Sequence, residues 1–176
     1  MGDTLIVAGT IAAAVVKKQM EMRGNELKAR FPSFFMPRMK LDYAKRCLEE
    51  SKRSFDEVKR LSPEFGVMHI VPVGRGGIFK ALWDIGEAAD SGLSVDMKMI
   101  PIRQETVEIC EWLGINPYTA DSADIPLISA EEGFSLHMTL LDAGIENVII
   151  GEFTKKKGRT LRYLEHIRYI DKPRHF

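Results

Sequence analysis

The chain has 176 residues, 45% of them hydrophobic, with 25 Lys+Arg against 25 Asp+Glu. That length suits one domain with an adequate core, and the apolar content is that of a folded chain, not a disordered one. A formal net charge of zero argues against a dedicated nucleic-acid binder, which carries a basic balance.

Residues 4–10 (TLIVAGT) read as a strand, rich in β-branched side chains and ended by Gly9. Residues 11–23 read as a helix, stopped by Gly24-Asn25. Residues 31–37 (FPSFFMP) form a loop by their two prolines, and Phe31, Phe34 and Phe35 there predict packing against a core or self-association. Residues 41–60 carry the strongest helical stripe: Leu41, Ala44, Leu48, Ser51, Phe55 and Val58 step by three and four. Asp42–Arg46, Glu49–Arg53 and Asp56–Arg60 add i,i+4 pairs in the acid-first order. Each is worth only about 0.2–0.5 kcal/mol, so the stripe decides the helix.

Residues 66–71 form the next predicted strand and residues 77–90 a helix, with Ile78, Ala81, Leu82 and Ile85 on one face. Residues 94–100 alternate as a half-buried strand broken by Pro101, and residues 103–113 form a helix closed by Gly114. Residues 116–124 are turn-rich. A short strand (125–129), a helix (131–143) and a strand (147–153) follow. Lys155-Lys156-Lys157-Gly158-Arg159 reads as a basic hairpin-type turn before a last strand or strand pair over residues 160–170. Strands alternate with helices but end in hairpin character. The expected fold is α+β, a mixed sheet with helices packed on it in α/β/α layers, rather than a pure parallel doubly wound sheet.

Charge is uneven along the chain. Residues 84–132 hold eleven acids against Lys98 and Arg103, and residues 155–176 hold eight Lys or Arg against Glu165 and Asp171. Two solvated faces that balance each other explain this; a basic tail that meets an acidic partner or a phosphate is the functional alternative. Cys47 and Cys110 fall on predicted helices among apolar neighbours and read as buried free thiols of a reducing cytoplasm. No Cys/His cluster has metal spacing, and His137, His166 and His175 share no ligating pattern, so no metal is assigned. No secretory signal and no membrane-spanning run are read, so a cytoplasmic protein is expected.

The one stretch suited to an anion is Val71-Pro72-Val73-Gly74-Arg75-Gly76-Gly77-Ile78. A strand precedes it, a helix follows, and three glycines open backbone conformations closed to other residues. A helix start offers unpaired N–H groups and a positive dipole end, with Arg75 as a charged clamp. The pattern is neither GxGxxG nor GxxxxGK[ST], and glycines that merely make a tight turn give the same letters.

The ordered set of segments resembles the C-terminal domain of the AIR synthase superfamily, nearest to its hydrogenase maturation (carbamoyl-dehydratase) branch. Gly2-Asp3 through Gly9-Thr10-Ile11 is similar to the family's "GD-apolar-SGTI" entry. His69 through Leu82 is similar to "HD-x-T-x-GG-x-x-x-A-L", with Asp84 where the family has Glu. Ile100-Pro101-Ile102, Leu113-Gly114-Ile115-Asn116-Pro117 and Val148 through Glu152 match its "IPV", "LGLDP" and "A-x-x-IG-x-V" segments.

Departures stand beside these matches. Ile70 replaces the Asp after the His, Pro72 and Val73 stand near the missing Thr, and Ala12-Ala13-Ala14-Val15 replaces a Gly-Asp-His-Gly loop. Ser122-Ala123-Asp124 replaces "N-E-G". The branch's terminal cysteine is absent, because the chain ends Pro173-Arg174-His175-Phe176.

The resemblance implies a substrate- or phosphate-binding site at His69, Gly74, Arg75, Gly76, Gly77 and Asp84. It implies ATP and Mg2+ held by an N-terminal or partner ATP-binding half that this chain lacks; Phe31, Phe34 and Phe35 together with that missing half predict a homo-oligomer. The chain would be the substrate-binding half of an ATP-dependent synthetase or maturation factor, inactive alone. The alternative is a degenerate, non-catalytic ligand- or partner-binding domain. No nucleic acid or membrane partner is expected.

Overall fold

A computed structural model describes residues 3–31 and 41–173. It contains a seven-stranded mixed sheet and five α-helices. In chain order these are β1 (Thr4–Ala8), α1 (Ala13–Arg30), α2 (Leu41–Leu61), β2 (Val67–Val73), α3 (Gly77–Ala88) and β3 (Gly92–Asp96). After them come α4 (Gln104–Leu113), β4 (Ile125–Ala130), α5 (Gly133–Asp142), β5 (Asn147–Thr154), β6 (Arg159–Tyr163) and β7 (His166–Tyr169). The strand order is β2-β4-β1-β5-β3-β6-β7. All neighbours are antiparallel except β3 and β6, which run parallel. The expected α+β mixed sheet is what forms.

β1 lies inside the sheet between β4 and β5 and is buried on both faces. Its period-two alternation sends Leu5 and Val7 into one core and Ile6 and Ala8 into the other. On the first face, α3 contributes Ile78, Ala81, Leu82 and Ile85, the stripe read from the sequence. Each of the fully buried Ile78, Leu82 and Ile85 side chains is worth about 1.5–3 kcal/mol. On the second face, α2 supplies Val58 and Leu61, and α5 supplies Leu136 and Leu140. A third cluster joins α1 (Ala13, Val16, Leu27) to Ile109 of α4.

Several local expectations are corrected. α1 does not stop at Gly24-Asn25. It runs on to Arg30 and bends instead at Arg23, whose φ of −133° is not helical, because Leu27 and Phe31 beyond the bend have a core to bury into. Phe31 is only 9% exposed and meets Trp112 edge-on, with ring centroids 6.2 Å apart. It is therefore a core residue and not a self-association contact; Phe34 and Phe35 lie outside the described residues. β3 begins two residues earlier than expected and gives way to a 3-10 turn over Met97–Met99, where the Asp96 carboxylate caps the Lys98 N–H.

The basic segment 155–159 is not a hairpin turn. β3 lies between β5 and β6, so the segment carries the chain across β3 to its far side. The hairpin is the next connection, β6 to β7, with Leu164 at φ +55° in its turn. Arg159 fastens β6 to α3: its guanidinium stacks 4.1 Å above the Trp83 ring and pairs with Glu87 at 2.5 Å. On α2, Arg60 pairs with Glu57 and not with Asp56, and Arg53 donates to the Ala143 carbonyl at the end of α5. Cys110 is buried and free, and burial pushes its thiol pKa up; the Cys47 side chain lies outside the described residues. Among the described residues no helix is long and apolar enough to cross a membrane.

Candidate functional site at the glycine turn

Gly74 through Gly77 join the end of β2 to the first turn of α3, as the sequence suggests. Gly76 is the N-cap at φ +91°, and Gly77 follows at φ +67°. Both are left-handed conformations that cost a side-chain-bearing residue about 1–2 kcal/mol. The Gly77 N–H closes the turn onto the Gly74 carbonyl at 3.0 Å. Arg75 at its tip is exposed, and no ion pair or hydrogen bond engages it among the described residues.

The neighbouring loop, residues 114–124, is packed against this turn. The Tyr118 carbonyl accepts the Phe79 N–H at 3.2 Å. Of the first three N–H groups of α3, those of Gly77 and Phe79 thus already have acceptors. The Tyr118 ring stacks on Phe79, centroids 5.3 Å apart and planes 6° from parallel. A Cβ on Gly77 would stand 2.4 Å from the Tyr118 carbonyl oxygen, and one on Gly74 would stand 2.3 Å from Oδ1 of Asp124. The glycines at 74 and 77 therefore serve close approach of the loop as well as the turn.

The loop is itself tightly folded. The Asn116 side chain accepts the Tyr118 N–H and the Asp121 side chain accepts the Ala123 N–H. Ala123 and Asp124 both adopt φ near +57°. The fully buried Ser122 hydroxyl accepts the Ala12 N–H at 2.8 Å, which ties the start of α1 to the same loop. Two helix starts, those of α1 and α3, are thus held by one segment. Burial holds the Tyr118 phenol above the usual tyrosine range, with the nearby Tyr163 adding to the effect. A raised folded-state pKa makes this contribution to stability full below the unfolded value near 10 and lost as pH rises through the folded value. Carbon NMR of the Tyr118 ring should show its ionisation lagging behind that of free tyrosine; coincident titration would contradict the stacked, partly buried ring.

The other two predicted site residues do not reach the turn. His69 lies five residues upstream on β2, about 16 Å along the strand. Its Nδ1 is 3.1 Å from the Ser129 hydroxyl on β4, and its ring meets Phe153 edge-on at 6.3 Å. Asp84 lies seven residues along α3, about 10 Å from its start, and pairs with Lys80 one turn back. The structure thus groups Gly74, Arg75, Gly76 and Gly77 and places His69 and Asp84 elsewhere. Tyr118, Ser122 and Asp124 are residues that sequence reasoning missed. Two signals pointed at the segment without assigning it a role: the density of turn-forming residues over 116–124, and Ser122-Ala123-Asp124 standing where the resembled family has its N-E-G loop.

Away from the turn, an open cleft of about 360 Å³ lies where β1 ends, between Gly9, Thr10, Pro101, Arg103, Glu146 and Asn147. Its polar groups are internally matched. Thr10 donates to the Pro101 carbonyl, Arg103 lies 3.6 Å from Glu146, and Asn147 exchanges hydrogen bonds with His137. Among the described residues no group of three or more His, Cys, Asp or Glu converges to hold a metal ion.

No protein-family model matches the chain. A protein of Methanocaldococcus jannaschii, whose curated name assigns it provisionally to hydrogenase expression and formation, is 26% identical over 98% of this chain and 48% of its own length. The chain thus spans about half the length of the curated relative it matches. Among solved structures, Escherichia coli HypE aligns with a TM-score of 0.71 at 20% identity, over 99% of this chain and 51% of that one. A hydrogenase maturation protein HypE in complex with ATP aligns at 0.70 and 17% identity, over 99% of this chain and 51% of that one. Thiamine-monophosphate kinase of Stenotrophomonas maltophilia aligns at 0.59 and 14% identity, over 92% and 50%. With its mixed seven-stranded sheet, the chain has the fold of a half-length AIR synthase-like domain.

Proposed function

We propose that this chain is the C-terminal, substrate-binding half of an ATP-dependent synthetase or maturation factor related to AIR synthase, without turnover of its own. The observation that carries this reading is the extent of the match: 99% of the chain aligns on 51% of E. coli HypE. A domain that accounts for all of itself and half of its relative leaves a second half to supply nucleotide chemistry. HypE in complex with ATP and a ThiL in complex with AMPPCP and TMP support nucleotide use by such whole proteins. ATP, with Mg2+, supplies phosphoryl transfer where that half is present.

This chain's part is binding and orientation. Arg75, exposed and unengaged beside three glycines, offers a planar charged fork to a phosphate or carboxylate arriving at the β2–α3 turn. The rigid attachment of the turn to residues 116–124 fixes where that anion would sit.

Titration calorimetry with inorganic phosphate tests the site. Arg75→Ala should weaken binding on the order of tenfold, the worth of one charge-assisted hydrogen bond. Unchanged affinity would remove the turn from the reading. The purified chain should release no phosphate from ATP, and turnover abolished by Arg75→Ala would overturn its inactivity alone.

A second reading is a non-catalytic ligand- or partner-binding domain. It is favoured by the Asp124 carboxylate against Gly74 and by the Tyr118 carbonyl on the Phe79 N–H. Both reduce the positive potential at the start of α3. Absence of phosphate binding by the unmodified chain would favour it.

A further inference from the structure

The cleft where β1 ends has a polar frame that is held by its own hydrogen bonds. The Thr10 hydroxyl donates to the Pro101 carbonyl at 3.3 Å, and the Ile11 N–H donates to the same oxygen at 2.9 Å. The Gly9 N–H donates to the Glu146 carbonyl at 2.9 Å. The buried Asn147 carboxamide gives both its N–H groups to carbonyls, those of His137 and Ile145. Its oxygen therefore accepts from His137 Nδ1, 2.7 Å away, which holds that imidazole in one orientation. These bonds tie together residues 9–11, 101 and 145–147, so the cleft needs no ligand to order it.

The two charged groups of the cleft are held differently. Arg103 Nη2 and Glu146 Oε2 are 3.6 Å apart, too far for a hydrogen bond between them, and the side chains are 37% and 84% exposed. Such a solvated pair contributes little to stability and exchanges partners readily. Beside it the lining is apolar, from Pro101, Ile102, Leu141 and Val148. The volume of about 360 Å³ lies in the range of small-molecule clefts, ~300–1,000 Å³. A simple anion drawn to Arg103 meets the Glu146 carboxylate, and a simple cation drawn to Glu146 meets the guanidinium. A ligand that carries both charges close together satisfies both groups at once.

We propose that this cleft is a ligand site for a small zwitterion, an α-amino acid with an apolar side chain. Its carboxylate takes the Arg103 guanidinium and its ammonium takes the Glu146 carboxylate, so the two protein charges part to admit it. The exposed Glu146 side chain swings about a backbone held by Gly9. The ligand's side chain lies on Ile102, Leu141 and Val148. No covalent bond is made or broken, so the site binds without turnover. None of residues 74–77 lines it, and it is independent of any nucleotide chemistry.

Amide NMR titration of the full chain tests this with L-leucine, isocaproate and isoamylamine. The three share one apolar body and carry both charges, only the negative one and only the positive one. Leucine should bind saturably with a Kd of about 1–10 mM, shifting the amides of Gly9, Thr10 and residues 146–148 and leaving residues 74–77 unmoved. Isocaproate and isoamylamine should each bind on the order of tenfold more weakly. Glu146→Gln removes the competing carboxylate, so it should weaken leucine about fivefold and strengthen isocaproate about twofold. Arg103→Gln should weaken leucine and strengthen isoamylamine in the same way. Neither residue belongs to a buried cluster, so both variants keep the fold. No saturation by leucine up to about 100 mM, equal affinity for the three ligands, a Glu146→Gln variant that binds leucine as the parent does, or shifts confined to residues 74–77 would each overturn the proposal. Loss of phosphate binding at the turn leaves this result untouched.

Discussion

Gly77→Ala is expected to destabilise the chain by about 2–5 kcal/mol, the sum of a left-handed backbone penalty and an overpacking penalty. Gly77 has φ +67°, and its new Cβ would stand 2.4 Å from the Tyr118 oxygen, 2.7 Å from the Thr119 carbonyl carbon and 2.8 Å from Thr119 Cα. All three are backbone atoms, so no side chain can swing aside. Relief requires residues 118–119 to retreat, which also removes the Phe79 N–H bond and unstacks Tyr118. Gly114→Ala separates the two penalties. Gly114 sits at φ +64° with nothing within 4 Å of its hypothetical Cβ, so it should cost only the backbone term of about 1–2 kcal/mol. Denaturant unfolding of the two variants measures the difference. Equal losses would mean that the loop does not press on the turn, and would restore the glycines to a simple turn-making role.

The same comparison explains what could be read from the letters. The stripe of α3, the β-branched run of β1 ended by Gly9 and the C-terminal stop of α4 at Gly114 were legible because each rests on local composition, periodicity or one conformational demand. The glycine turn was legible for the same reason. Its closure by residues 116–124 was not, since Tyr118, Ser122 and Asp124 act through contacts across long stretches of chain. Ser122 reaches Ala12 over 110 positions, and no spacing rule links them. The extent of α1 was misread because Gly24 signals a stop locally, whereas the burial of Leu27 and Phe31 is a tertiary gain. Likewise the LysLysLysGlyArg segment has turn composition in either topology. Only the pairing of β6 with β3 decides that it bridges a strand.

That bridge is where the second large effect is expected. Gly92 opens β3 directly beneath the 155–158 connection, and a Cβ there would lie 1.7 Å from the Lys156 carbonyl oxygen and 2.7 Å from that of Gly158. Gly92→Ala should therefore lift the connection off β3. Lifting it breaks the bond from the Leu93 N–H to the Gly158 carbonyl, 3.0 Å long, and strips the parallel register Leu93–Arg159 through Asp96–Arg162. Overpacking and the lost hydrogen bond together cost about 2–4 kcal/mol. The loss should also be uneven. β6 has only β3 and β7 as neighbours, and β7 is held by β6 alone, so the hairpin should open before the β4-β1-β5 centre does. Amide exchange in Gly92→Ala should accelerate over residues 159–169 and stay slow over 4–8 and 125–130. Stability within about 0.5 kcal/mol of the parent, the range of a neutral surface change, would show that the connection has room above Gly92. Uniformly faster exchange would show instead that the hairpin unfolds only with the whole sheet.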